Sequence, residues 1–541
     1  MGTGIILGLN GADGVGHDGG AALVMDGRLV AAVEEERLSR SKRSFGAPPL
    51  RSLVEVLRLG GISPQDIDTI AYPWSPSAMG LKFEEIAASL ESWFSRAGLP
   101  TSPHTSFQCV NHHDAHAWVG TAFLPAEAAG RDVAILVLDG TGESTSGAAY
   151  HLNSEMTKLW NLEQSSSLGI YYEAVTQFLG FSWGEEGKTM GLASYGRESR
   201  LQLPSLPDRR FTGELPRFAS TTETPRSLHE QIRYGFIAEL VSSHEWVGSF
   251  NNRADLALGA QRVLEDRIRT YADELLDGVG HLILSGGIAL NCSANGQLAG
   301  HCRDRGVQLV VPPPAGDSGV AIGAAIAVAR QNAHSPISVD DVGLGRHYSG
   351  EEIGAALHDF GLRVIPCGPD AVARRLMSES EICGWIQGGS EIGPRALGHR
   401  SILARPDSKR VRDRLNYLKG RESWRPLAPS LSMNEFERSF HGSVPSPYML
   451  VAAQAVPGCE DRLGGVIHVD GSARPQVVED HGPYRSLLAE IARLADVEAV
   501  TCTSFNASGE PLVYSPLDAL VSARKMSLDF LAGDGWLCEL D

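Results

Sequence analysis

The densest group of metal-capable side chains in the sequence is Asn111-His112-His113-Asp114-Ala115-His116, in which His112 and His116 stand four apart. On a helix that spacing puts both imidazoles on one face, about one turn from each other, which suits the first two ligands of a divalent metal. A helix cap with solvated histidines is the competing reading. Two carboxylates in glycine-flanked settings favour the metal: Asp139 after the apolar run Ile135 to Leu138, and Asp317 in Ala315-Gly316-Asp317-Ser318-Gly319. Two imidazoles with two carboxylates suit iron, manganese or zinc.

A second group of residues suits anions. Gly393-Pro394-Arg395 opens a glycine-rich loop, Lys419, Arg421 and Arg425 follow within a few residues, and Arg474, Ser504 and Asn506 come later. Guanidinium, ammonium, hydroxyl and amide groups on glycine loops are what a phosphate or oxyanion pocket requires. The chain carries a net charge of -18, so this local reversal of sign points to a pocket rather than to a solvated basic face.

The elements that must hold these groups are legible in outline. Ile5 to Asn10 reads as a buried strand, and a glycine-rich turn containing His17 leads to a second strand, Ala21 to Met25. Asp26-Gly27 then forms a hairpin turn into a third, Leu29 to Val33. The pattern is echoed by Val133 to Leu138, Asp139-Gly140-Thr141-Gly142, and Gly147 to Tyr150. Strand His281 to Leu284, followed by Ser285-Gly286-Gly287 and Asn291, has glycines that let backbone approach a nucleotide closely. Two such hairpins are the phosphate loops of a duplicated actin-like (ASKHA) ATPase fold. Lys188, between glycines, is either a phosphate contact or an exposed loop lysine. Ala254 to Leu276 has the spacing of a long amphipathic helix, Asp317 opens another through Ala329, and residues 200–230 read as an irregular insertion suited to acceptor recognition.

At 541 residues the chain is expected to hold at least two domains, and the aperiodic stretch Gln331 to Gly350 places a boundary giving 1–345 and 346–541. With 43% hydrophobic and 21% charged residues, the composition is that of a soluble globular protein, and the fold class expected from its strands and turns is α/β. The acidic balance argues against nucleic acid as a partner. Eight cysteines without a CxxC pair read as free thiols in a reducing cytoplasm. Met1 to Ile6 lacks a basic leader and no apolar run is long enough to span a bilayer, so no membrane association is expected.

The motifs HHxAH, LxxDGxGE, SLGxxYE, GKxMGLAxYG, SGGxALN, GDxG, GPRALGxRS, RESxRPxAPS and TSFNxxGEPLV occur in order over nearly the whole chain, which therefore resembles the NodU/CmcH/TobZ-type O-carbamoyltransferases. The resemblance implies a first domain similar to the tRNA threonylcarbamoyl transferases and a second that is YrdC-like. It implies that carbamoyl phosphate and ATP give carbamoyl-AMP, whose carbamoyl group passes to the hydroxyl of a small-molecule, natural-product alcohol. It further implies that His112, His116, Asp139 and Asp317 bind a metal, expected to be iron(II). Gly169, Gly286, Gly287 and Asn291 would hold the adenylate, Lys42 would lie near its phosphate, and His17 would face the acceptor as base or as a positioning group. Arg421, Arg425, Arg474, Ser504 and Asn506 would bind carbamoyl phosphate, with Arg395 and Lys419 nearby. The resemblance leaves a homodimer open.

One departure stands out: the family's QGRxE is here Gln387-Gly388-Gly389-Ser390-Glu391. A phosphate-contacting arginine is missing, and restoring it at 389 is expected to tighten carbamoyl phosphate binding by about ten-fold. An actin-like small-molecule kinase needs neither the histidine pair nor the second basic domain, a metallohydrolase needs no nucleotide loops, and a catalytically weakened nucleotide-binding homologue is kept open by Gly389.

Overall fold

The computed structural model describes residues 4–14, 16–76, 81–197, 203–213, 215, 225–243, 248–332, 336–339, 341–479 and 481–540. Residues 1–3 at the start, Val15 in the first glycine-rich turn, and parts of the 200–230 insertion and the 331–350 boundary lie outside them. The chain forms two compact units, Met1–Ser39 with Arg43–Asp340, and Arg40–Lys42 with Asp341–Asp541. The division falls slightly before the one read from the sequence, and the short segment Arg40–Lys42 belongs with the second unit. It is tied there because the Arg40 guanidinium donates to the carbonyls of Leu512 (2.6 Å) and Pro511 (3.0 Å) and faces the Asp518 carboxylate at 3.5 Å.

The first unit contains two sheets with one repeated topology. In the first, β1 (Ile5–Asn10), β2 (Gly20–Met25) and β3 (Arg28–Glu34) form an antiparallel meander, while β4 (Thr69–Tyr72) and β5 (Ser106–Cys109) extend the other side parallel to β1, giving the order β3-β2-β1-β4-β5. The β2–β3 turn is the two-residue Asp26-Gly27, with φ of 48° and 75°, as a tight hairpin requires. In the second, β6 (Val133–Gly142), β7 (Thr145–Leu152) and β8 (Met156–Glu163) repeat the meander. A short β9 (Arg210–Phe211) is added at its edge, and β10 (His281–Ser285) and β11 (Gln308–Val310) run parallel beside β6. The matching orders β3-β2-β1-β4-β5 and β8-β7-β6-β10-β11 are the duplication of the actin-like fold.

Burial on both faces explains why β1 and β6 read as continuous apolar runs. Helices His112–Thr121 and Val320–Asn332 pack on each other, the second lying against β1 and the first against β6 and β10. The expected long helix runs Phe250–Asp273.

The second unit is built on one mixed sheet. Its strands are β12 (Val364–Pro366), β13 (Cys383–Ile386), β14 (Arg400–Ala404), β15 (Ala428–Leu431), β18 (Gln476–Val477), β19 (Ala499–Ser504), β20 (Phe530–Gly533) and β21 (Trp536–Glu539). Their order is β12-β21-β20-β13-β14-β19-β15-β18, and β16 (Ala453–Gln454) pairs separately with β17 (Ser472–Ala473). Trp385, Tyr484, Phe505 and Phe530 fill its core. All eight cysteines are free. Among the described residues, no helix is long and apolar enough to cross a membrane.

Candidate functional site

Asn111 caps the His112–Thr121 helix, its side-chain oxygen accepting from the Asp114 amide at 3.3 Å, and this fixes the first turn from which both histidines project. His112 and His116 are fully buried. Asp139 comes from the end of β6, and Asp317 opens the short turn Asp317–Gly319 that leads into helix Val320–Asn332. His112 Nε2 lies 3.3 Å from Asp139 Oδ2 and 3.5 Å from Asp317 Oδ1, and His116 Nε2 lies 3.7 and 3.4 Å from the same two oxygens. The four ligand atoms all fall within 4.8 Å of one another.

Neighbouring groups orient these ligands. The Gly287 amide donates to Asp139 Oδ1 at 3.0 Å, and Trp74 stacks on His112 with ring centres 4.1 Å apart. Asn10 accepts from the Trp74 indole at 3.1 Å and donates to the Asp317 carbonyl at 3.2 Å. Burial works against a charged His112, yet Asp139 and Asp317 outweigh it and push its pKa up to about 10. Burial likewise opposes ionisation of Asp317, and the two imidazoles with His17 still hold it well below the usual carboxylate range. The cluster sets two nitrogen and two oxygen donors around one volume that favours positive charge, and these residues fit a divalent metal.

Glu143, which sequence reasoning passed over within its own motif, supports the helix start. It is fully buried at φ 59°, and its carboxylate accepts from the Asn111 amide group, from the Ser75 backbone at 2.5 Å and from the His112 backbone at 3.3 Å. His17 sits at the rim of the cluster, Nδ1 3.0 Å from Asp18 Oδ2 and 3.8 Å from Asp317 Oδ2. Burial lowers its pKa, but the two carboxylates prevail and the net shift is upward.

Gly169, Gly286 and Gly287 gather around the Asp139 loop. Gly286 has φ 90°, and a Cβ there would lie 2.2 Å from the Leu138 carbonyl oxygen, so no side chain fits. Gly169 abuts Gly140 in the same way. Asn291, expected at the adenylate, is hydrogen-bonded within the fold. Its oxygen caps helix Cys292–Arg303 through the Ala294 amide at 3.0 Å and accepts from Gln261 at 3.0 Å, and its nitrogen donates back to Gln261 at 2.9 Å. Lys188 pairs with Glu185 at 2.7 Å. A chain the sequence did not disclose runs from the Thr141 hydroxyl to His229 Nδ1 (2.9 Å) and from His229 Nε2 to the buried Glu173 (2.9 Å), with Arg233 beside it at 3.3 Å.

Lys42 groups with the second unit, where its charge acts on Lys419.

In the second unit Lys419 is buried at the end of helix Lys409–Leu418 and donates to the carbonyls of Ser504 and Asn506 and to the Asn506 side chain (3.3 Å). Asn506 spends its amide nitrogen on the Ala507 and Glu510 carbonyls, so it shapes this loop and holds Lys419. Burial, then the charges of Arg425, Arg474 and Arg395, push Arg421 down to about 9. Burial, then Arg421, Arg425 and Lys42, drive Lys419 well below the ordinary lysine range. Arg421 Nε and Arg474 Nε are buried with no hydrogen-bond partner. These cations repel one another and lower one another's proton affinity, and an anion among them would satisfy both the charge and the idle N–H groups.

Gly389 corrects the expectation of a vacant arginine position. A Cβ there would lie 2.0 Å from the Gly343 carbonyl oxygen and 3.0 Å from that of Gly345, backbone atoms that cannot step aside like a side chain. The fully buried Arg400 ties the same loop together, donating to the carbonyls of Gln387 (2.6 Å), Gly388 (3.1 Å) and Tyr514 (3.2 Å).

A duplicated α/β unit with a largely buried His/Asp tetrad, and a second α/β unit with a half-buried guanidinium cluster, suit a group-transfer enzyme. The chain belongs to the carbamoyltransferase family: the Carbamoyltransferase N-terminus model matches residues 6–86 and 95–326, and the Carbamoyltransferase C-terminus model matches residues 373–539. It is similar to Nodulation protein NolNO of Sinorhizobium fredii (32% identity, covering 96% of this chain and 78% of that protein) and to Nodulation protein U of Bradyrhizobium diazoefficiens (29% identity, 91% of each). The solved structure of T. kodakarensis HypF shares 14% identity over 61% of this chain and 48% of that one with a TM-score of 0.34, too slight a likeness to argue from.

Proposed function

We propose that this carbamoyltransferase is an ATP-dependent O-carbamoyltransferase. The second unit, read as YrdC-like, converts carbamoyl phosphate, ATP and one water into carbamoyl-AMP, pyrophosphate and phosphate. The first unit passes the carbamoyl group to the hydroxyl of a small-molecule alcohol and releases AMP.

The observation that carries this reading is the guanidinium cluster, where the unpartnered, buried Nε–H groups of Arg421 and Arg474 lie in one field with Arg425 and Arg395. Such a field suits the phosphates of carbamoyl phosphate and ATP, and charge-assisted hydrogen bonds from arginine are the strong ones. Ser504 adds a hydroxyl at the end of β19, and Asn506 holds Lys419, which lies in the field of Arg421 and Arg425.

In the first unit, His112, His116, Asp139 and Asp317 would hold the metal, read as iron(II) from the family. When bound, it would polarise the carbonyl of the mixed anhydride and stabilise the developing oxyanion. His17, held through Nδ1 by Asp18, receives the acceptor's hydroxyl proton at Nε2 as the alcohol oxygen attacks the carbamoyl carbon and the bond to AMP breaks. The chain Thr141, His229 and Glu173 fixes the loop that carries Asp139.

Nucleotide products separate this reading from a kinase. Incubation with ATP, carbamoyl phosphate and an alcohol is expected to release AMP and pyrophosphate in equal amounts. ADP as the main product contradicts it.

A further inference from the structure

Three segments far apart in sequence place an aromatic shelf beside His17. Trp183 is 40% exposed and Phe45 is 54% exposed. Their rings meet edge to face, with centres 6.3 Å apart. The His17 ring stands edge-on to the same indole at 5.2 Å, and the Arg43 guanidinium lies over it at 4.3 Å.

The arrangement is held by backbone rather than by apolar packing. The Asp18 amide donates to the Arg43 carbonyl (2.7 Å), the Gly46 amide to the Gly16 carbonyl (2.6 Å) and the Gly14 amide to the Gly46 carbonyl (3.0 Å). Arg43 and Ser44 adopt φ of 62° and 43°, a left-handed conformation that costs energy in non-glycine residues and persists only where the surroundings enforce it. Two strapped loops therefore present Phe45, Arg43 and His17 together, and the Trp183 indole from a third segment bridges the phenyl ring and the imidazole that faces Asp317.

We propose that Trp183 and Phe45, steadied by Arg43, form the acceptor subsite and receive the flat, C–H-rich or aromatic face of a ring-bearing alcohol, leaving its hydroxyl directed at His17. Two mutually tilted rings grip a ring face, whereas a linear polyol offers them no plane to stack on. This subsite rests on the reading of the first unit as the place of transfer to an alcohol.

The test is saturation-transfer NMR on the full chain with methyl β-glucopyranoside, benzyl alcohol and the linear polyol xylitol as probes, comparing wild type with Trp183→Ala and Trp183→Phe. At least one ring probe should bind wild type and receive saturation on its ring protons while xylitol does not. The glucoside and benzyl alcohol arms tell a C–H face from an aromatic one. Trp183→Ala should weaken ring binding by about threefold to tenfold, the range that aromatic stacking contributes, and Trp183→Phe should recover most of it. Equal ring binding by wild type and Trp183→Ala, xylitol binding as well as the rings, or no ring probe binding at millimolar concentration overturns the subsite. Pyrophosphate release from ATP, dependent on carbamoyl phosphate, is measured on wild type in parallel; its absence counts against the carbamoyl-transfer reading and leaves the ring-binding result standing.

Discussion

The Nε2 atoms of His112 and His116 face each other across 3.1 Å, closer than two unshared lone pairs tolerate and with both Nδ1 atoms buried away from any hydrogen-bond partner. Either a proton or a metal must sit between them, and the oxygens of Asp139 and Asp317 complete a tetrad around the same volume.

The metal prediction follows from that geometry. Wild type purified after loading with iron(II), manganese(II) or zinc(II) should retain close to one equivalent of one of them by elemental analysis. His116→Ala, which removes one of the two nitrogen donors, should retain far less. Equal metal content in the two proteins would sink the site.

At position 389 the structure reverses the gain expected from restoring an arginine. Gly389→Arg must push its Cβ into the Gly343 carbonyl oxygen, 2.0 Å away, so the 343–345 and 387–391 segments have to separate. Overpacking of this kind costs about 1–3 kcal/mol. The expected result is a melting point lowered by several degrees with no tighter carbamoyl phosphate binding. A stable variant with improved affinity would contradict this.

The second unit should take up protons when it binds an anion. Burial and neighbouring cations hold Lys419 below the ordinary lysine range and Arg421 at about 9. An anion lifts both, so protons are bound with it and affinity falls as pH rises through the lowered values. Sulfate, which does not titrate here, is the suitable probe. Calorimetry at pH 8 in two buffers of different ionisation enthalpy should show proton uptake that shrinks in Lys419→Met. Zero uptake in wild type would show that both groups are already fully protonated in the free site.

The sequence made much of this visible, and its gaps have physical causes. The strands β1 and β6 are legible because they are buried on both faces and read as apolar runs, and the histidine pair is legible because an i, i+4 spacing has one meaning on a helix. Asp139 and Asp317 stand out through their glycine neighbours. That Arg40–Lys42 group with the second unit was not legible, because they follow the Arg40 contacts, a tertiary preference with no local signal. Asn291 has the composition of a ligand-binding turn, and only the facing Gln261 from a distant helix shows that its amide is already engaged. The chain from Thr141 through His229 to Glu173 joins three segments with no shared motif spacing. The absence of a side chain at 389 looks like a lost ligand in sequence and proves to be a backbone crossing in space.

The central claim is that two steps are carried out by two separate sets of residues, and the most direct measurement supplies the intermediate. Carbamate ester formation is followed in Arg425→Ala and His116→Ala, first with carbamoyl phosphate and ATP and then with synthetic carbamoyl-AMP. With carbamoyl phosphate and ATP both variants should fail, Arg425→Ala without releasing pyrophosphate and His116→Ala while still releasing it. Carbamoyl-AMP should restore product in Arg425→Ala and not in His116→Ala. Rescue of both variants, or of neither, would contradict the division of labour between the guanidinium cluster and the histidine–aspartate tetrad.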